Sequence, residues 1–269
     1  MHPNRKLLAF DVDGTLLTNS HSVLPSTKQA LRQLVQNGHH IVLATARPPK
    51  SVVRIGAQLE IEHTISIALN GAMIIRDNMI LWEMPMERSA VEEVIQEARR
   101  RGLHANIMAG WDWFVEAPSP WCDQEAAIVE FQPKMLADLL ADSVPNAHKV
   151  LFMGDPNSIA AYRQWANSRK LPLYISLSKP TYCEIVSEGV SKAHALQEVA
   201  NILHIPLADV IAFGDGENDM EIVKMAGVGV AMGNAMPEVL AVADLVTKSN
   251  NDDGIYYALL ELGLITPFT

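Results

Sequence analysis

The sequence has little cysteine and no long apolar run. Its 269 residues include only two cysteines, Cys122 and Cys183, which form no C-x-x-C pair and cannot build a disulfide scaffold. A reducing compartment is therefore the expected environment. No stretch of about 18 apolar residues is present, so no membrane span is predicted. The apolar run at residues 7–10 is too short for a signal peptide, and we expect a cytoplasmic protein.

Positive charge is also scarce. The chain has 21 Lys and Arg against 31 Asp and Glu, a formal net charge of −10. This balance disfavours nonspecific binding to DNA, RNA or anionic lipid, although local basic residues can still bind a small phosphate. Hydrophobic residues make up 49% and charged residues 19%, which is the ordinary balance of a folded protein. At roughly 150 residues per domain, the length fits one large domain or two modest ones.

Short apolar runs near the start of the chain predict buried strands. Residues 7–10, 40–44 and 64–69 are mostly apolar and do not alternate with polar residues, as is typical of strands covered on both faces. Strands separated by a helix form a parallel sheet. A similar alternation of strands and helices over residues 192–246 predicts that the end of the chain joins the same sheet. The expected fold class is α/β, with a Rossmann-like parallel sheet.

A helix is predicted between the first two strands, over residues 25–38. Pro25 lies near its start and Gly38 just past its end, and both match the usual start and stop signals. The apolar positions on its predicted inner face are Ala30, Leu31, Leu34 and Val35.

The middle of the chain predicts a second, inserted domain. A hairpin is predicted over residues 73–82, and helices over residues 87–101 and 133–141. Four of the five tryptophans lie between Trp82 and Trp121. We interpret residues 83–187 as an inserted α+β domain. The interrupted domain then comprises residues 1–82 and 188–269.

Two aspartates follow the first predicted strand, in the segment Asp11-Val12-Asp13-Gly14-Thr15. In open parallel sheets, ligands bind beyond the carboxyl ends of the strands, so both carboxylates can face one site. An Asp-Gly surface turn is the plain alternative. An EF-hand calcium loop is excluded, because its glycine and its last carboxylate would stand at other positions.

Two further segments suit the binding of a phosphate. Thr45-Ala46-Arg47-Pro48 follows the second strand and offers a hydroxyl and a guanidinium, although a threonine at the end of a strand is more often a helix cap. Gly189-Val190-Ser191-Lys192 opens a helix with a lysine in its first turn. Because the helix dipole disfavours a cation there, the ammonium is expected to have a partner.

An acidic cluster follows a later strand, in the segment Gly214-Asp215-Gly216-Glu217-Asn218-Asp219. It does not match the dinucleotide fingerprint G-x-G-x-x-G, because Asp219 stands at the last position. Its carboxylates would repel a pyrophosphate, whereas they suit Mg²⁺, which prefers oxygen ligands and is shared with substrate phosphates.

These four blocks, D-x-D-G-T, T-x-R-P, G-V-S-K and G-D-x-x-N-D, resemble in order and spacing the motifs of the haloacid dehalogenase-like superfamily of phosphohydrolases. The insert lies between the second and third blocks. This placement is similar to the Cof-type branch (subfamily IIB), which carries a large α/β cap. Two positions depart from the family: Ala46 replaces the usual glycine of T-G-R-P, and Ala193 follows Lys192 where glycine is frequent.

The resemblance implies a Mg²⁺-dependent phosphatase that forms an aspartyl-phosphate intermediate. Asp11 would be the nucleophile and Asp13 the general acid and base, while Thr45 and Lys192 would bind phosphate oxygens. The implied metal-site residues are Asp11, Asp13 through its backbone carbonyl, Asp215 and Asp219. Further candidates for phosphate or substrate binding are Arg47, Asn70, Gly71 and Asn218.

The cap is expected to select the substrate. Its candidate contacts are Trp111, Trp113, His148, Lys149, Tyr182 and Glu184. The expected partner is a small phosphorylated metabolite such as a sugar phosphate, a nucleotide, pyridoxal phosphate or flavin mononucleotide. No nucleic acid or membrane partner is expected, and the chain is expected to be a monomer or a weak homodimer. A phosphotransferase or mutase of the same fold and a noncatalytic phosphate binder are the alternatives. A dehydrogenase is disfavoured, because the segment from Gly214 to Asp219 does not match the dinucleotide fingerprint G-x-G-x-x-G.

Overall fold

The computed structural model describes residues 5–61 and 64–267. Residues 1–4, on which the expectation of no signal peptide partly rests, lie outside the described residues. Within the described ranges, no helix has the length and apolar character needed to cross a membrane.

The strands and helices alternate along most of the chain. The strands are β1 (Leu7–Asp11), β2 (His40–Ala44), β3 (Ile65–Ala68), β4 (Met73–Arg76), β5 (Met79–Glu83), β6 (His104–Ala109), β7 (Asp112–Val115), β8 (Lys134–Met135), β9 (Lys149–Met153), β10 (Leu173–Lys179), β11 (Tyr182–Ser187), β12 (Val210–Gly214), β13 (Val228–Ala231) and β14 (Leu245–Val246). The helices are α1 (Pro25–Gln36), α2 (Pro49–Gln58), α3 (Arg88–Arg100), α4 (Pro120–Val129), α5 (Pro156–Ser168), α6 (Lys192–Leu203), α7 (Met220–Met225), α8 (Pro237–Leu240) and α9 (Gly254–Glu261). Short 3₁₀ turns are formed by Leu69–Gly71, Leu207–Asp209 and Glu217–Asp219.

The first of two compact units comprises residues 1–46, 52–81 and 191–269. Its sheet has the strand order β14-β13-β12-β1-β2-β3-β4-β5. The strands from β14 to β3 are parallel, and β4 is antiparallel to β3. β1 lies between β12 and β2, and its residues from Leu7 to Phe10 are fully buried. The predicted α/β class with a parallel sheet is therefore confirmed.

Helix α1 begins with Pro25, whose missing N–H costs nothing at this position. Its buried face contains Thr27, Ala30, Leu31 and Leu34. The prediction that Val35 lies on the buried face of this helix was wrong, because Val35 is 40% exposed.

The second unit comprises residues 47–51 and 82–190. Its sheet has the strand order β10-β11-β9-β6-β7-β8 and is antiparallel except between β7 and β8. One face of this sheet shares an apolar core with α3 and α5, in which Phe152 and Tyr162 are fully buried. The Tyr162 hydroxyl donates to the Val94 carbonyl at 3.0 Å, so the polar end of this buried side chain has a hydrogen-bond partner.

The predicted helix over residues 133–141 is wrong. Residues 134–135 form β8 and pair in parallel with β7, and the rest of the segment consists of bends and turns. The helix in this region is α4, which begins earlier, at Pro120. Ser119 caps it by accepting the N–H of Cys122 at 3.1 Å. The prolines around residue 120 look like loop residues in the sequence, but a proline in the first turn starts a helix well.

Candidate active site

Three aspartates gather at the carboxyl edge of the first sheet. Asp11 is the last residue of β1, and Asp215 directly follows β12, the neighbouring strand. Asp219 ends the 3₁₀ turn after β12. One carboxylate oxygen from each of the three lies within 4.8 Å of the others. The parallel arrangement of β1 and β12 therefore brings together side chains that are about 200 positions apart, as the Thr15–Asp215 contact also shows.

Lys192 lies at the centre of this acidic group. It is the first residue of α6, which Ser191 caps by accepting the N–H of His194 at 3.1 Å. Its ammonium donates to Asp11 Oδ1 at 2.5 Å and to Asp219 Oδ1 at 2.6 Å. Lys192 is only 2% exposed. Two carboxylates thus compensate a buried cation at the start of a helix, where the dipole alone would disfavour it.

The group carries more negative than positive charge. Burial raises the pKa of Asp11 well above its usual range. The charges of Asp219 and Asp215 raise this pKa further, whereas the charge of Lys192 lowers it. Burial also raises the pKa of Asp215 to about 6. Burial alone would lower the pKa of Lys192, but Asp11 and Asp219 raise it overall, so the ammonium stays charged. Two buried carboxylates and the half-buried one of Asp215, beside one ammonium, form an oxygen donor set that fits a hard divalent cation.

Asp219 orients both the lysine and the loop after β12. Its Oδ1 accepts from Lys192, while its Oδ2 accepts the N–H groups of Asp215 at 3.1 Å and Gly216 at 3.0 Å. A Cβ at Gly214 would lie 2.4 Å from the Asp219 Cβ, so the close approach requires glycine there. Asp219 therefore fixes the backbone that carries Asp215.

The D-x-D-G-T segment packs directly against Asp215. Thr15 Oγ1 donates to Asp215 Oδ1 at 2.7 Å. Gly14 has a φ of +88°, and a Cβ there would lie 2.3 Å from Asp215 Oδ2. Asp13 is exposed, two residues beyond Asp11. Thr15 was not among the predicted site residues, although it belongs to the D-x-D-G-T motif, which offered the signal.

Thr45 and two asparagines connect neighbouring strand ends. Thr45 is buried; its N–H donates to the Ile67 carbonyl at 2.9 Å, and its carbonyl accepts the N–H of Asn70 at 3.0 Å. Asn70 has a left-handed backbone, with a φ of +59°. Its Oδ1 accepts from Asn218 Nδ2 at 3.2 Å. The structure thus brings Asn70 and Asn218 together, and their predicted contact with a substrate stays a prediction.

Gly71 packs the 3₁₀ turn after β3 against the start of α6. Its φ is +106°, and a Cβ there would lie 2.2 Å from the Ser191 carbonyl oxygen. We therefore expect Gly71→Ala to lower the free energy of unfolding by about 2–4 kcal/mol, through backbone strain and the clash together. Activity should fall as well, because the displaced segment carries Lys192. Urea denaturation followed by circular dichroism measures the stability change.

Gly102 offers a matched control. Its φ is +67°, but a Cβ there meets nothing within 4 Å. Gly102→Ala should therefore cost only the backbone strain, about 1 kcal/mol. Equal losses in the two variants would contradict a role for the contact between Gly71 and Ser191.

Arg47 belongs with the second unit. Its guanidinium donates to the Ile128 carbonyl at 2.9 Å and to Ser51 Oγ at 3.3 Å, and the residue is 7% exposed. These contacts attach the segment after Thr45 to α4. The predicted role of Arg47 in phosphate or substrate binding stays a prediction.

Two of the aromatic cap candidates are packed inside the second unit. Trp113 is 1% exposed, and its Nε1 donates to Asn106 Oδ1 at 3.0 Å. The Tyr182 hydroxyl accepts from Gln124 Nε2 at 2.9 Å. Trp111, at the turn between β6 and β7, is partly exposed. Trp111 is therefore the better aromatic candidate for a substrate contact.

Polar groups are buried in the same unit. Lys149 and Glu184, on the neighbouring strands β9 and β11, form an ion pair at 2.8 Å. His148 accepts the N–H of Gly110 at Nδ1, at 3.0 Å. Burial raises the pKa of Glu125, a buried residue of α4 that was not among the predicted candidates. No helix was predicted over these residues, so the sequence offered no signal that this carboxylate is buried.

Comparison with known proteins agrees with these features. Residues 8–259 match the family model described as haloacid dehalogenase-like hydrolase. YkrA of Bacillus subtilis is 31% identical over 264 residues, which cover 97% of this chain and 98% of the relative. The HMP-PP phosphatase of Yersinia enterocolitica is 30% identical over 238 residues, 87% of this chain and 86% of the relative. A crystal structure of a haloacid dehalogenase-like hydrolase from Bacteroides thetaiotaomicron matches with a TM-score of 0.89 at 27% identity, covering 96% of this chain and 100% of that one.

Proposed function

Because this chain belongs to the haloacid dehalogenase-like hydrolases, we propose that it is a Mg²⁺-dependent phosphatase acting on a small phosphorylated metabolite. The observation that carries the proposal is the cluster of Asp11, Asp215 and Asp219, in which the buried Lys192 ammonium donates to Asp11 and Asp219. This group offers a carboxylate nucleophile, oxygen ligands for a cation and a fixed positive charge at one edge of the sheet. The HMP-PP phosphatase named above supports the same reaction class.

The proposed magnesium ligands are the carboxylates of Asp11 and Asp215 and the backbone carbonyl of Asp13. All are hard oxygen donors, and the excess negative charge of the site suits a divalent ion. When bound, Mg²⁺ offsets the repulsion between an anionic carboxylate and an anionic phosphate. Asp219, whose oxygens already accept from Lys192 and from two backbone N–H groups, contributes charge and holds these partners in place.

The chain supplies the groups for a two-step displacement. A carboxylate oxygen of Asp11 attacks phosphorus, the bond from phosphorus to the leaving oxygen breaks, and Asp13 donates a proton to that oxygen. Asp13 then takes a proton from water as the water oxygen attacks phosphorus. The bond to Asp11 breaks and inorganic phosphate leaves. Thr45 and Lys192 bind the remaining phosphate oxygens, on which negative charge develops in both steps.

A screen of phosphate release from a metabolite library, with and without Mg²⁺, tests this proposal. The library should contain sugar phosphates, nucleotides, pyridoxal phosphate, flavin mononucleotide and HMP-PP. Release in water, without an added acceptor, would establish hydrolysis rather than transfer to a sugar hydroxyl. Absence of release from every compound in the presence of Mg²⁺ would contradict the proposed function.

Lys192→Ala should lower kcat/KM for every substrate by a common factor of about 100 or more, because each substrate presents the same phosphate to the ammonium. The measurement is a panel of active esters from the screen together with acetyl phosphate, with folding checked by circular dichroism. Lys224→Ala removes an exposed lysine of α7 and is the control. A loss restricted to some substrates would place Lys192 on the leaving group instead.

The second unit is proposed to select the leaving group. The proposed catalytic and metal-binding side chains all lie in the first unit, so the second is not required for the chemistry itself. Trp111→Ala should therefore change the kcat/KM ratios between large esters by about 5-fold or more and leave acetyl phosphate within about 2-fold. Trp113→Ala is a poor test, because removing this buried side chain would cost about 3–5 kcal/mol of stability. If Trp111→Ala changed kcat/KM by the same factor for every substrate, the proposed role of the second unit in selecting the leaving group would be contradicted.

A further inference from the structure

Two asparagines from the last part of the first unit hold the loop that follows the proposed nucleophile. Asn234 Nδ2 donates to the Gly14 carbonyl at 2.8 Å. Asn250 donates its backbone N–H to Asn234 Oδ1 at 2.9 Å and its side-chain amide to the Leu17 carbonyl at 2.8 Å. The two residues are therefore linked through the Asn250 backbone, and together they bind the loop at Gly14 and at Leu17.

The Asn250 side chain is the anchor of this pair. It is 4% exposed, and its Nδ2 also lies 3.2 Å from Asn19 Oδ1. The neighbouring Asn251 accepts the N–H of Asn19 at 3.0 Å. The bond from Asn250 to the Leu17 carbonyl is buried, so breaking it would leave polar groups unsatisfied, and it therefore holds the backbone at this point.

The segment that carries Asn234 also holds the backbone of the metal-site loop. The N–H of Met236 donates to the Asp215 carbonyl at 2.9 Å, and that of Met232 donates to the Gly214 carbonyl at 3.1 Å. Residues 232–236 thus bind Gly14 on one side and Asp215 on the other. These are the two residues whose close approach excludes a side chain at position 14.

We propose that Asn234 and Asn250 are positioning residues that set Asp13 for proton transfer to the leaving oxygen. Asp13 precedes Gly14, so a shift of the Gly14 carbonyl moves the Asp13 backbone and side chain relative to Asp11 and Asp215. Proton transfer requires hydrogen-bond distance, so a displacement of about 1 Å is costly. The inference rests on the proposed function, in which Asp13 is the general acid.

The test compares two phosphate esters in Asn234→Ala. An alkyl phosphate has a poor leaving group that needs a proton, whereas p-nitrophenyl phosphate has a good one that does not. Because kcat/KM reports the steps up to departure of the leaving group, it should fall about 10–100-fold for the alkyl ester and less than about 3-fold for the nitrophenyl ester. For the alkyl ester, whose turnover is then limited by departure of the leaving group, the loss should lie in kcat, with KM unchanged within about 2-fold. Asn201→Ala, at an exposed asparagine of α6 that accepts from Gln197, is the matched control and should behave as the wild type.

Asn234→Asp separates the two contacts of this side chain. It retains an acceptor for the Asn250 N–H but loses the donor to the Gly14 carbonyl, so it should show the same selective loss as Asn234→Ala. Equal losses for the two esters, or no loss in either variant, would overturn the inference. Wild-type protein that hydrolyses neither these esters nor any library compound would instead contradict the proposed function, so the two failures are distinguishable.

Discussion

Asp11→Asn should abolish turnover and leave the fold intact. The amide is nearly isosteric with the carboxylate but is a poor nucleophile, so we expect activity to fall at least about 1,000-fold. The fold should persist, because burial and two neighbouring carboxylates already disfavour the charge at this position. Removing that charge relieves repulsion, while Lys192 keeps its contact with Asp219. The melting temperature should therefore be unchanged or higher.

Two measurements check this result. Steady-state phosphate release gives the loss of turnover, and acid quenching with a phosphate-labelled substrate detects the covalent intermediate on the protein. Label should appear on the wild type and be absent from Asp11→Asn. Asp142→Asn, at an exposed carboxylate of the second unit, is the control for the loss of a charge. More than about a tenth of wild-type activity in Asp11→Asn would contradict the assignment of the nucleophile.

Removing divalent cations should stop activity almost as completely. We expect EDTA treatment to lower kcat/KM more than about 100-fold, Mg²⁺ to restore it, and Ca²⁺ to restore it poorly, because Ca²⁺ has longer and less regular coordination. The reason lies in the composition of the site, where three carboxyl groups lie close together and a single ammonium donates to two of them. Full activity in protein shown by elemental analysis to be free of metal would contradict this expectation.

Binding of the ion should also be visible without turnover. Because the ion would bind the folded site, Mg²⁺ at about 100 times its dissociation constant should stabilise the fold by about 2.7 kcal/mol. A thermal shift on adding Mg²⁺ measures this effect. Asp215→Asn should reduce the shift strongly, whereas Asp142→Asn should retain it. An equal shift in both variants would place the ion elsewhere.

The parallel sheet and the gathering of the motifs could be predicted from the sequence for one physical reason. Unbroken apolar runs such as residues 7–10 indicate strands covered on both faces, and parallel strands deliver the residues that follow them to one edge. This is why Asp11, Thr45 and Asp215 could be assigned to a common edge of the sheet from the sequence alone. The expected family is confirmed by the match over residues 8–259.

Other features of the fold and of the site depend on tertiary packing, which the pattern of neighbouring residues in the sequence does not reveal. Asn234 and Asn250 lie far along the chain from the loop that they hold, and an asparagine in a loop has many ordinary explanations. Thr27 rather than Val35 completes the buried face of α1, because the position of the neighbouring elements decides which side of a helix is covered. The segment near residue 134 joined a strand instead of forming a helix because β7 offered it a partner.

The central position of β1 has a consequence for how the chain is made. Its apolar residues pair with β2 on one side, but the partner on the other side, β12, begins at Val210 and is synthesised much later. At about 5–20 residues per second, a ribosome needs on the order of 10–40 s to bridge that interval. The sheet of the second unit is completed by Ser187, before β12 emerges. During this interval the backbone edge of β1 that will pair with β12 has no partner. An unpaired edge on an apolar strand promotes aggregation, so β1 is the segment of the nascent chain that most needs protection.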